Sequence, residues 1–187
     1  MLLSQPRQTQ QVISADNPLA ILVLCTGNSA RSIMAEALLD FYGRGAIRAY
    51  SAGSQPVGRV NPRALAQIQR HLPGEPRPGS KKRHESQSWH AYTGPQAPHL
   101  DAVITVCGNA ACEVCPDFSG KPIKVHWGLP DPAAVEGDDQ AKDAAFARCF
   151  EALAQRCQRL SQLLDEGTDK PGAIRWLQTA AQEPLLP

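Results

Sequence analysis

No apolar run in this chain of 187 residues approaches the ~20 residues that a membrane-spanning helix needs, so no membrane association is expected. The N-terminal stretch MLLSQPRQTQQVISADN is too polar for the apolar core of a secretory signal and reads as a flexible tail over residues 1–18. Neither sign of charge dominates, with 19 Lys and Arg against 18 Asp and Glu. That balance implies no polyanion-binding surface, and no nucleic acid is expected as a partner. The glycine signatures of nucleotide sites are missing too: there is no G-x-G-x-x-G, and no Walker lysine follows Gly27. Six cysteines in a chain this long are too sparse for a disulfide scaffold. A reducing cytosol is the expected compartment, and there clustered cysteines point to metal binding or redox catalysis.

What is present suits one domain with one sizeable core, at 42% hydrophobic residues and without internal repeats. LAILVL, Leu19 to Leu24, is an apolar run of strand length, as expected for a strand buried on both faces of a parallel sheet. The period then changes: Ile33, Met34, Ala37, Leu38 and Phe41 form a helical stripe from Arg31, closed by Gly43 and Gly45. A second strand is expected over Ile47 to Tyr50, and Asn61 before Pro62 caps a helix carrying Leu65, Ile68 and Leu72. Residues 73–98 read as polar surface with one short helix near Ser86 to Tyr92. Further strands are expected over Leu100 to Cys107 and Lys121 to Trp127, then a long amphipathic helix from Ala141 to Leu164 and a short one around Ile174 to Leu177.

Strands alternating with helices imply a doubly wound α/β sheet, of about four parallel strands with helices on both faces. The domain is expected over residues 19–165, with 166–187 as a C-terminal extension. Ligands of such sheets bind at the carboxyl ends of the strands. Cys25, Ser51, Cys107 and Asp131 each follow an expected strand, so all converge on that edge.

Between the first strand and helix lies the loop Cys25-Thr26-Gly27-Asn28-Ser29-Ala30-Arg31-Ser32. Its backbone N–H groups can turn inward around a tetrahedral anion, and the helix start adds unpaired donors and partial positive charge. Gly27 suits a positive φ, and Asn28 is the other residue that tolerates one. Arg31 offers a planar fork for two anion oxygens. The same field favours a thiolate at Cys25, a nucleophile to which Ser32 or Ser29 can donate a hydrogen bond. Asp131, held in GLPDP by flanking prolines, is placed to protonate a departing oxygen.

CTGNSARS resembles the phosphate loop of the low-molecular-weight protein tyrosine phosphatase superfamily, whose arsenate reductase branch shares the fold. Ser51 to Gly53 (SAG), the Asp131-Pro132 pair and the terminal amphipathic helix resemble it also, so the likeness spans Leu19 to Leu164. It implies the flavodoxin-like topology of that superfamily and Asp131 as its general acid. TVC…CP…HWGLPDPA resembles the reductase branch in particular. The phosphatase branch carries aromatic residues just after its DP pair, where this chain has Ala133, Ala134 and Val135.

The resemblance therefore implies an arsenate reductase: Cys25 attacks arsenate, Cys107 displaces arsenite as it pairs with Cys25, and Cys115 resolves that bond. Thioredoxin, glutaredoxin or glutathione would then supply electrons. The alternative is a phosphatase that needs only Cys25, Arg31 and Asp131. Cys112 reads as an extra thiol that can substitute for either Cys107 or Cys115. The resemblance also suggests that Asn28 and Ser51 order the loop, sometimes with a potassium ion; no tightly bound cofactor is otherwise expected.

Rival readings of the cysteines remain. C-x4-C-x2-C from Cys107, with Cys149 as a fourth ligand, matches a plant-type iron–sulfur spacing, but Cys149 shares a helical stripe with Leu153 and Cys157. Cys107, Cys112, Cys115 and His126 have the ligand types of a zinc site or of a non-enzymatic arsenite or zinc sensor. Metal is not expected. His126 is read as a packed or hydrogen-bonded histidine, Cys149 and Cys157 as core, and Lys81, Lys82 and Arg83 as a solvated basic loop.

Overall fold

The computed structural model describes residues 12–74, 84–108 and 115–183. Cys112 and the basic run at Lys81, Lys82 and Arg83 lie outside the described residues. Four parallel strands form one sheet: β1 (Leu19–Cys25), β2 (Ile47–Gly53), β3 (Ala102–Thr105) and β4 (Ile123–His126), in the order β2-β1-β3-β4. The helices are α1 (Arg31–Gly43), α2 (Pro62–His71), α3 (Asp139–Asp165) and α4 (Lys170–Ala180). The doubly wound order expected from the sequence is thus present. No helix among the described residues is long and apolar enough to cross a membrane.

Strand β1 is buried along its whole length, as its continuous apolar run requires. Its residues alternate between two cores. Leu19, Ile21, Val23 and Cys25 join the larger one, to which all four α-helices contribute; Leu22 and Leu24 join a smaller one with Leu100, Val103, Tyr92 and Phe118. Among the described residues, the smaller core is covered by a one-turn 3-10 helix, Trp89–Tyr92, where the sequence suggested a longer helix from Ser86. Ser88 caps it, its hydroxyl accepting from His90 N–H at 3.3 Å.

Local signals set most of the ends. Asn61 caps α2 through Arg63 N–H, with Pro62 in the first turn. Helix α1 stops where Arg44 and Gly45 take positive φ. Strand β2 runs past its expected end because Ser51, Ala52 and Gly53 pair in register with Val23, Leu24 and Cys25. Helix α3 starts early, at its cap Asp138, whose carboxylate accepts Ala141 N–H at 2.8 Å. Helix α4 is longer than the stretch Ile174 to Leu177, because Asp169 caps it and the small residues Ala173 and Ala180 are buried beside Leu177. Its burial joins this segment to the main core.

Cys149 and Cys157 sit on the buried stripe of α3. Burial pushes the Cys149 thiol up to about 12, against a smaller lowering by Arg31, and raises Cys157 as well. In the unfolded chain both ionise near the ordinary value of 9.0, whereas the folded protein keeps its protons. The folded state therefore binds more protons at high pH, and its stability falls as pH rises above about 9. We expect the denaturant midpoint to drop between about pH 9 and 10, and a Cys149→Ala/Cys157→Ala variant to show a flatter decline. Equal slopes in the two proteins would show that these thiols do not carry the effect.

Candidate active site

The sheet order reverses direction beside β1, and β1 and β3 are neighbours there. Their carboxyl ends flank the crevice where doubly wound sheets bind ligands. Cys25 ends β1 and Cys107 lies just beyond β3, so topology brings together two thiols far apart in sequence. Both line a cavity of about 510 Å³ with Thr26, Arg31, Leu129 and Asp131. Thr26 Oγ1 and Cys107 Sγ are 3.6 Å apart, which joins the loop to the second thiol.

The loop's carbonyl groups are tied from outside. Gln55 N–H donates to Thr26 O at 2.9 Å, Val57 N–H to Gly27 O at 3.0 Å and Asn61 N–H to Ser29 O at 2.8 Å. The Ser86 hydroxyl adds a second bond to Gly27 O at 3.2 Å. With carbonyls drawn outward, the N–H groups of the loop are left to face the cavity. Ala30 sits at the N-cap of α1 and offers no side-chain cap, which leaves the first N–H groups of the helix available to the same cradle.

Within the cradle, Cys25 Sγ accepts Asn28 N–H at 3.1 Å and lies 3.0 Å from Ser32 Oγ. Asn28 is fully buried at φ 43°, and its Nδ2 donates to Ser32 Oγ at 3.0 Å. The positive φ expected at Gly27 falls on Asn28 instead; its polar side chain makes that conformation tolerable, and its hydrogen bonds hold it. Ser29 lines the cavity but does not bond the sulfur among the described contacts; Ser32 occupies that role.

Arg31 reaches across the cavity mouth. Its NH1 donates to Leu129 O at 2.9 Å, and its NH2 lies 3.0 Å from Asp131 Oδ2. The other carboxylate oxygen accepts Ala133 N–H at 3.0 Å, capping the short turn Pro132–Ala134. The pair keeps Asp131 at the mouth. An incoming oxyanion would compete with it for the guanidinium, which brings carboxyl and anion oxygens side by side.

Cys115 is not part of this cavity lining. It is half-buried and packs against the smaller core, on the other side of β1 from Cys25. His126 is exposed, with Nδ1 2.8 Å from Thr105 Oγ1. No group of three His, Cys, Asp or Glu residues among the described ones is placed to hold a metal ion.

Two site neighbours were not singled out in the sequence. Glu36, in the buried stripe of α1, accepts from Ser51 Oγ at 2.5 Å. Gln87 donates its backbone N–H to Asn28 Oδ1 at 2.7 Å and its side-chain amide to Ser51 O at 2.9 Å. A carboxylate inside an otherwise apolar helical face was the available signal for Glu36; nothing in HESQSWHAY distinguished Gln87.

A model of the low molecular weight phosphotyrosine protein phosphatase family matches residues 20–170. An arsenate reductase of Halalkalibacterium halodurans is 34% identical over 149 residues, covering 78% of this chain and 97% of its own. Among solved structures, an arsenate reductase from Archaeoglobus fulgidus is similar at a TM-score of 0.57 and 22% identity, over 76% of this chain and 98% of the other. A thioredoxin-dependent arsenate reductase of Corynebacterium glutamicum is similar at a TM-score of 0.53 and 24% identity, over 81% of this chain and 65% of the other. These structural likenesses carry the fold.

Gly53 offers a test of the cradle. A Cβ there would come within 3.0 Å of Asn28 N and Cβ, and nearer still to Thr26 O. We expect Gly53→Ala to lower stability by about 1–3 kcal/mol and to weaken phosphate protection of Cys25 against alkylation by roughly tenfold or more. Undiminished protection would mean that the loop can shift without losing its anion geometry.

Proposed function

The chain belongs to the low molecular weight phosphotyrosine protein phosphatase family, and from that premise we propose that it is an arsenate reductase. The observation that carries the proposal is the second thiol: Cys107 shares the cavity with Cys25. Hydrolysis of a thiophosphate intermediate by water needs no such group, whereas reduction of arsenic needs a donor of two electrons beside the first sulfur.

In this reading the loop N–H groups and Arg31 hold arsenate, and the Cys25 thiolate attacks arsenic. An arsenic–sulfur bond forms, an arsenic–oxygen bond breaks, and Asp131 gives its proton to the departing oxygen, which leaves as water. The Cys107 thiolate then attacks Cys25 Sγ. A disulfide forms, the sulfur–arsenic bond breaks with its electron pair left on arsenic, and arsenite departs. Cys115 next attacks Cys107 Sγ and frees Cys25. Thioredoxin, or glutaredoxin with glutathione, reduces the resulting Cys107–Cys115 disulfide; the C. glutamicum protein that shares the fold is thioredoxin-dependent.

Cys112, the extra thiol of the sequence, has no assigned step in this relay. Cys149, kept protonated by burial, is a poor candidate. The relay is a cytosolic reaction in this proposal, since its thiols must be regenerated. No step of this reading draws on a potassium ion near Asn28 and Ser51, where Asn28 Oδ1 and Ser51 O accept from Gln87 and Ser51 Oγ donates to Glu36.

The test compares two activities on one sample: arsenate-dependent oxidation of reduced thioredoxin, and hydrolysis of an aryl phosphate. Cys25→Ser should abolish both. Cys107→Ser and Cys115→Ser should each lower arsenate turnover by at least about a hundredfold, because the cycle stops at an intermediate. Mass spectrometry after one turnover should find Cys107 linked to Cys115. Intact arsenate turnover in both variants would end the relay, and aryl phosphate hydrolysis without arsenate turnover would make the protein a phosphatase.

A further inference from the structure

Residues 84–88 approach the loop from the far side of β2. Gly53 N–H donates to Gln87 O at 2.9 Å, which places Gln87 beside the end of that strand. The Gln87 side chain fixes the segment. Its amide nitrogen has two hydrogens, one for Ser51 O at 2.9 Å and one for the Tyr92 hydroxyl oxygen at 2.8 Å. Burial first, then the charge of Glu36, pushes the Tyr92 phenol upward, so it stays neutral and available to accept.

So anchored, Gln87 turns its backbone N–H toward Asn28 Oδ1 at 2.7 Å. A backbone N–H is a donor that cannot reverse, so only the oxygen of the Asn28 amide can face it, and Nδ2 must face Ser32. Because Ser32 Oγ accepts from Nδ2, its own proton is free for Cys25 Sγ, 3.0 Å away. Asn28 held in this place also aims its N–H at the sulfur.

We propose that Gln87 is a positioning residue for the Cys25 nucleophile, a fixed donor that orients Asn28 and through it makes Ser32 a donor to the sulfur. The proposal rests on Cys25 being the nucleophile, not on which oxyanion it attacks. Gln87 itself touches neither sulfur nor substrate. The cradle carbonyls of Thr26, Gly27 and Ser29 are each tied by Gln55, Val57 or Asn61, which lie outside the segment that Gln87 fixes, so oxyanion affinity should respond less than sulfur reactivity.

The experiment follows alkylation of Cys25 by iodoacetamide from pH 5 to 9 in the full chain, quantified on the Cys25 peptide, with arsenate kinetics alongside. Gln87→Met keeps the length of the side chain and removes its donors. We expect its alkylation profile to move to higher pH, with roughly a tenfold slower reaction at pH 6, and kcat for arsenate to fall by a similar factor while KM changes less than about twofold. Tyr92→Phe removes one of the two anchors and should move the profile the same way by less, which keeps the test open should Gln87→Met fold poorly. The wild-type profile should be the same in potassium and tetramethylammonium chloride. A folded Gln87→Met protein with an unmoved profile, no movement in either variant, or a wild-type profile that needs potassium would overturn the assignment. Alkylation is read without arsenate, so absence of arsenate turnover would refute the reductase reading and leave this test intact.

Discussion

Everything the site can do depends on where the loop carbonyls of Thr26, Gly27 and Ser29 point. A loop this short between a strand and a helix cannot satisfy both its N–H and C=O groups internally, and a buried unpaired carbonyl is costly. The segment from Gln55 to Asn61 removes that cost by donating to the carbonyls from outside. The loop N–H groups are then left for an anion. The constraint reaches into the fold, because Asn61 both donates to Ser29 O and caps α2. Helix α2, loop and strand β2 are thereby locked as one unit, with Gly53 admitting the loop only because it lacks a Cβ.

The thiol depends on the same arrangement. The sulfur at the end of β1 has Asn28 N–H at 3.1 Å and Ser32 Oγ at 3.0 Å against it. Arg31 has a different place: it is turned toward Leu129 O and Asp131 at the mouth, so the cation and the acid form one group that an oxyanion must enter. In the proposed reaction, binding and proton delivery would be coupled by geometry, since an anion that draws on Arg31 would also meet the carboxyl.

The strands, α1 and α3 were legible because their signals are local: a continuous apolar run, a change of period at Arg31, and a stripe of Phe146, Phe150 and Leu153. Helix α4 was only partly legible, because Ala173 and Ala180 give almost no periodic hydrophobic signal although they are buried. The loop residues that touch the sulfur could be picked from CTGNSARS, since glycine, asparagine and serine in that place have a chemical reason. The donors that hold the loop could not. Gln55, Val57, Asn61 and Gln87 act largely through backbone N–H groups, which every residue except proline carries, so no residue type marks them. The location of Cys115 was equally hidden: it packs against the smaller core, whereas Cys107, eight residues earlier, joins the larger one.

That location bears on why a relay would need three thiols. Cys25 is 5% exposed and Cys107 4%, at a cavity whose mouth Arg31 and Asp131 span. A disulfide between them would be closed to a protein reductant, whose sulfur must approach along the bond it breaks. Exclusion of water that would protect an arsenic–sulfur intermediate in the proposed reaction would also deny a reductant access. Cys115, half-buried against the other core, lies outside that enclosure. Moving the oxidation from the Cys25–Cys107 pair to Cys107–Cys115 would carry it from the closed side of β1 to a more open one. In the proposed relay, sheltering the chemistry and admitting electrons conflict at Cys25, and a second transfer through Cys107 would let this fold meet both.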